Sequence, residues 1–104
     1  MTLQTLLTEL DKIIPGACMH AAVQGSSRYI VLTDDGLHTL RGDGAAAHRA
    51  HRFTVHLVTQ QDDDPALGEI MSLLERSGAA FSDPESMYDD EMNCLHHVIE
   101  GECV

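Results

Sequence analysis

The chain has 104 residues, 43 % of them hydrophobic and 22 % charged, which is one domain's worth: enough for a core, too little for a second domain. Six Lys and Arg against 17 Asp and Glu give a formal charge of -11, and residues 60–104 alone carry twelve of the acids with Arg76 as their single base. Such a surface repels phosphate backbones and anionic membranes, so non-specific nucleic-acid binding through a basic footprint is excluded.

Cys18, Cys94 and Cys103 are odd in number and lack C-x-x-C spacing, which argues for a reducing compartment and against a disulfide framework or zinc ribbon. No apolar run approaches spanning length and the first residues lack the basic-then-apolar layout of a leader, so a soluble, cytoplasmic chain with no membrane partner is expected.

In chain order, Leu3, Leu6, Leu7, Leu10, Ile13 and Ile14 recur at helical spacing and Pro15-Gly16 supplies a stop; this predicts an amphipathic helix. Ala17 to Val23 reads as a strand and Gln24 to Ser27 as a turn. Tyr29 to Thr33 is a β-rich run, Asp34-Asp35-Gly36 has hairpin-turn chemistry, and Leu37 to Leu40 would return. Residues 41–50 carry two glycines, four alanines and no large apolar side chain, which predicts an exposed loop with nothing to anchor it. Phe53, Val55 and Leu57 alternate with polar residues as in a strand with one buried face. Asp64-Pro65 places an N-cap and an N1 proline before the stripe Leu67, Ile70, Met71 and Leu74, and Arg76 and Gly78 suit the end of that helix. A turn around Asp83-Pro84, an acidic patch (Asp89, Asp90, Glu91) and a final strand from Asn93 to Ile99 complete the chain. The order predicts an α+β single domain over residues 1–104, with a mostly antiparallel or mixed sheet carrying two helices on one face.

Chemistry-bearing patterns are sparse. His48-x-x-His51 with His56, and Cys94-x-His96-His97, are the two groupings from which a metal site would be built. In a strand, however, His97 points away from Cys94 and His96, and no local trio follows. The chain has no G-x-S-x-G, H-E-x-x-H or phosphate-cradling glycine loop. Gly25-Ser26-Ser27 reads as a turn, and Glu69 and Glu75 lie nearly opposite each other around a helix rather than as a catalytic pair. Asp62-Asp63-Asp64 suits the positive end of a helix dipole better than a cation loop. Arg41-Gly42-Asp43 matches an adhesion tripeptide without any sign of secretion, and Met71, Met87 and Met92 read as core filler. The expectation is a protein that is not an enzyme and has no cofactor and no metal.

The succession RYIVLT, a glycine/alanine loop, FTVHLVTQ, DPALGEIMSLLERSG and MYDDEMNCLHHVIEGE, spanning Arg28 to Glu102, resembles the tail terminator (tail-completion) proteins of long-tailed bacteriophages and prophages. The resemblance implies a structural subunit without catalytic residues. It would form a ring, usually of six copies, that caps the tail tube and meets the head connector. Its partners would then be itself, the tail tube protein and the head-tail connector protein. DNA would pass through the lumen unbound, and the protein would lie in the tail or neck of a virion assembled in the host bacterial cytoplasm. Small head-completion and minor capsid proteins share this size. Charge supports association independently: Arg41, Arg49 and Arg52, with Asp43 beside them, could meet Asp89, Asp90 and Glu91 of a neighbour, and these seven are the candidate interface residues. The competing class is an acidic DNA-mimic inhibitor of a nucleic-acid-binding enzyme.

Overall fold

A computed structural model describes residues 1–21, 27–40 and 48–103. Helix α1 (Leu3–Ile13) starts at Thr2, whose hydroxyl accepts the Thr5 N–H at 3.1 Å. It buries Leu3, Leu6 and Leu10, with Ile14 just past its end. Gly16 at φ +92 turns the chain out of it, a conformation that glycine adopts without steric cost. Of the strand expected over 17–23, the described part, 17–21, contains β1 (Cys18–Met19), parallel to β2 (Tyr29–Leu40). Residues 22–26, with most of the expected turn at 24–27, lie outside the described residues.

The Asp34-Asp35-Gly36 segment corrects the sequence reading. It does not reverse the chain: β2 runs unbroken from Tyr29 to Leu40, with a register shift between Asp34 and Gly36. Gly36 takes φ +93, and its N–H is captured by the Asp34 carboxylate at 2.9 Å. The same Asp-Gly chemistry that closes a hairpin thus makes a bulge, because the partner strand is β3 (His48–Thr59) rather than Leu37 to Leu40. Of the expected loop 41–50, residues 41–47 lie outside the described residues, and His48 to Ala50 belong to β3, with Ala50 buried. Small residues there are compatible with a strand whose pairing is set by distant sequence.

Helix α2 (Pro65–Ser77) has Asp64 as N-cap and Gly78 at φ +77 as C-cap, as its sequence predicts. After it come two short strands that the sequence reading missed, β4 (Ala80–Phe81) and β5 (Glu85–Asp89), and then β6 (Cys94–Cys103), longer than expected. The sheet order is β1-β2-β3-β6-β4, with β5 also on β6. All pairings are antiparallel except β1 with β2, so the fold is α+β with a mixed, mostly antiparallel sheet. One face of it (Ile30, Leu32, Phe53, Val55, Leu57, Ile99, Cys103) forms a single cluster with Leu3, Leu6, Leu10, Ile14, Ala66, Ile70, Leu73 and Leu74 of the helical segments. Among the described residues no helix is long and apolar enough to cross a membrane.

A buried carboxylate ties α2 to the end of β3 and to the entry of β2. Asp64, with its side chain fully buried, receives a bidentate ion pair from Arg28 (2.7 and 2.8 Å), the Thr59 hydroxyl (2.7 Å) and the Ala66 N–H (2.9 Å). The Arg28 guanidinium above all, with those donors, holds its carboxyl far below the usual carboxylate range. Removing a partner from such a pair leaves an uncompensated buried charge or an unfilled cap, so Asp64→Ala is expected to cost about 3 kcal/mol in urea unfolding, Arg28 being half in water. Because the folded state keeps Asp64 ionised, the unfolded state binds its proton first as pH falls. Stability present above about pH 4 should therefore decline below it, less steeply in Asp64→Asn.

Gly101 is a second fixed point. A Cβ there would lie 2.6 Å from Phe53 Cζ and 2.9 Å from the Ala80 carbonyl oxygen. Phe53 is fully buried and the Ala80 atom is backbone, so neither yields easily. Gly101→Ala should lower stability by about 2 kcal/mol through overpacking, read as a lower urea midpoint.

Candidate functional site

The register places the basic and the acidic candidate interface residues that it describes toward opposite ends of the sheet. Beyond the row His51↔Cys103, the last pair of β3 with β6 among the described residues, β2 and β3 continue as a pair through His38↔Ala50, Thr39↔Arg49 and Leu40↔His48, a two-stranded arm of about 10 Å. The molecule is accordingly elongated, 51 × 23 × 22 Å. At the other end of β6, the turn from β5 carries Asp89, Asp90 and Glu91, all exposed. Asp89 organises that turn by accepting the Glu91 and Met92 N–H groups at 3.0 and 3.2 Å.

Of the candidate interface residues, Arg49 belongs to the arm by backbone register, and Arg41 and Asp43 lie outside the described residues. Arg52 sits at the arm's base, its Nε 3.0 Å from Glu102 on the neighbouring strand. The structure therefore places Arg49 and Arg52 at one end and Asp89, Asp90 and Glu91 at the other, too far apart to meet within one molecule.

Both ends also expose apolar side chains, which the sequence reading missed. Leu37, at the start of the arm, is 62 % exposed. Met87, Tyr88 and Met92 beside the acidic turn are 56 %, 56 % and 69 % exposed. Met87 and Met92 are thus not core filler, whereas Met71 does pack against the core. Period two gave no signal here: in β5 every position is exposed, and such an edge strand shows no alternation to read.

At the base of the arm Asp34 is held between two histidines. Its carboxylate is 2.5 Å from His51 Nε2, and its N–H donates to His20 Nε2 at 3.2 Å. The Gly36 N–H first, then His51, keep the Asp34 carboxyl below its ordinary value. This braces the bulge from which the arm departs.

The sheet face away from the helices is uncovered by either helix and carries Tyr29, Val31, Thr54, His56, Val58, His96 and Val98. His56 and His96, diagonal neighbours on β3 and β6, place Nδ1 and Nε2 3.1 Å apart, with ring centroids at 5.3 Å. Neither of the two histidine groupings weighed in the sequence comes together among the described residues. Alternation puts His51 and His56 on opposite faces of β3, and His97 opposite Cys94 and His96 on β6. His97 is buried on the helix side, with its Nδ1 2.6 Å from the Ser86 hydroxyl, pinning β5 to β6. The carboxylate nearest in charge to it, Asp64, is saturated by Arg28, Thr59 and Ala66, so the Ser86–His97 contact is a brace rather than an activated nucleophile.

No protein-family model and no curated protein matches the chain. Among solved structures, a chain from the virion of native gene transfer agent (GTA) particle superposes with a TM-score of 0.62 over 96 % of this chain and 88 % of that one, at 12 % identity. The two share a fold. A second solved structure covers 98 % of this chain and 94 % of its own at 12 % identity, with a TM-score of 0.40, and carries no weight.

Burial lowers the pKa of both His56 and His97 from the ordinary histidine value, with His96 adding to the effect. The unfolded chain consequently binds more protons than the folded one as pH falls through the histidine range, and stability should drop between about pH 7 and 5. Imidazole NMR titration should give midpoints below about 6.5 for both residues, and His56→Gln should flatten the decline.

Proposed function

We propose that the protein is a virion structural subunit, a tail-terminator-type protein that closes into a ring on the tail tube and meets the head connector. The observation that carries this reading is the placement of unlike surfaces at the two ends of one elongated sheet. A basic, Leu37-bearing arm projects from one end; Asp90, Glu91, Met87, Tyr88 and Met92 are exposed at the other. Two different complementary patches per subunit make a heterologous contact, and a heterologous contact whose rotation closes makes a ring. Exposed apolar groups rimmed by charge are the usual composition of such a contact. The fold shared with a chain of the gene transfer agent virion supports the same reading. In it, the protein's partners are its own copies, the tail tube protein and the head-tail connector protein. The acidic remainder of the surface would keep DNA in the lumen from binding.

The test is a charge swap read by native mass spectrometry and negative-stain microscopy. Asp90→Lys/Glu91→Lys leaves one variant basic at both ends, and Arg41→Glu/Arg49→Glu leaves the other acidic at both. Each alone should remain monomeric where the unmodified protein forms rings. Their mixture should restore rings of even subunit number, in which the two variants alternate. An unmodified chain that is monomeric at every concentration, or variants that assemble as it does, would overturn the reading.

A further inference from the structure

The His56–His96 pair is not among the ring-contact residues, although His96 borders the depression lined by Met87, Tyr88, Asp90 and Glu91, and the pair's geometry is that of a chelate. Two imidazoles meet nitrogen to nitrogen at 3.1 Å. Metal–nitrogen bonds of about 2.0–2.1 Å at angles between square and tetrahedral need ligand nitrogens roughly 2.9–3.4 Å apart. The pair borders a hollow of about 180 Å³ formed with Tyr29, Val31 and Val58, which offers no competing charge at its walls. On the adjacent strand Met87 stands directly across from His96 in the register and lines the neighbouring depression with it.

We propose that His56 Nδ1 and His96 Nε2 form a two-imidazole site for a late first-row divalent ion, with copper(II) and nickel(II) favoured over harder cations. Imidazole suits these metals, and affinity for nitrogen sites rises toward copper. Among the described residues no third His, Cys, Asp or Glu joins the pair, so the remaining coordination positions go to water, with Met87 across the register as a soft donor on the adjacent strand. Coordination asks for no change in net protonation of two neutral rings: the single proton shared between the two nitrogens moves to the far nitrogen of its own ring, and both lone pairs turn to the metal. Burial favours the neutral form of His56 that this requires.

Nickel(II), which does not oxidise thiols, is the probe, titrated calorimetrically into the full chain in a non-chelating buffer. One saturable site is expected, weakened about tenfold or more by His56→Gln and by His96→Gln, and unchanged by His51→Gln. In the unmodified protein, paramagnetic broadening should reach the His56 and His96 imidazole signals first, a readout that does not depend on the variants folding. Absence of saturable binding, binding that survives both substitutions, or broadening that begins at other histidines would each overturn the proposal. Failure to form rings would leave this result untouched, since the site lies within one subunit.

Discussion

The architecture turns on one buried carboxylate. Asp64 caps α2, anchors the end of β3 through Thr59 and draws in Arg28 just before β2 begins, so a single group fixes where a helix starts, where one strand stops and where another enters. An isolated charge could not be buried there. It is the bidentate guanidinium and the two neutral donors together that make the site cheaper than leaving the carboxylate in water. Once α2 is docked at that end, the apolar stripes of both helices fall on the same face of the sheet. The other face is left to Val31, His56, Val58 and His96, and the long pair β2–β3 overshoots at the far end.

That overshoot follows from unequal strand lengths around the bulge. β6 ends at the row of His51, whereas β2 and β3 run three pairs further, and a two-stranded ribbon has little core of its own to bury. Asp34, pinned by Gly36, His51 and His20, stiffens the point of departure. Edges and apolar groups left open in this way are a liability for a solitary protein and a resource for one that joins its own copies. On the proposed reading the arm is stable as part of an assembly rather than alone.

Much of the core was legible from the sequence because it rests on local patterns. The stripes of α1 and α2, the Asp64-Pro65 start, the Gly78 stop and the alternation of Phe53, Val55 and Leu57 each occupy a few consecutive turns or residues. What was not legible depends on register between distant strands. Asp34-Asp35-Gly36 has identical chemistry as a turn and as a bulge, and only the partner strand decides between them. β5 lacks alternation because its whole length is exposed. The candidate interface residues were legible as charges, since composition shows them, but the placement of the described ones at opposite ends was not. Likewise His56 and His96 are forty residues apart, and the grouping by nearness in sequence paired each with the wrong histidines.

A chain of charge -11 is at first sight a poor candidate for self-association, and the range of the forces resolves this. At physiological ionic strength the screening length is about 8 Å, far less than the 51 Å over which this molecule extends. Most of the acids on two neighbouring copies therefore lie beyond reach of one another, and the free energy of contact is set by the charges at the junction. On the proposed reading, the arginine-bearing arm there faces Asp90 and Glu91, and Leu37, Met87 and Met92, exposed in the single chain, withdraw apolar surface from water. Lowering the salt lengthens the reach of the whole negative surface and so works against assembly; very high salt shortens it below the contact distances and removes the attraction as well. Net charge and local complementarity thus act on different length scales, and a strongly acidic chain can still join itself end to end.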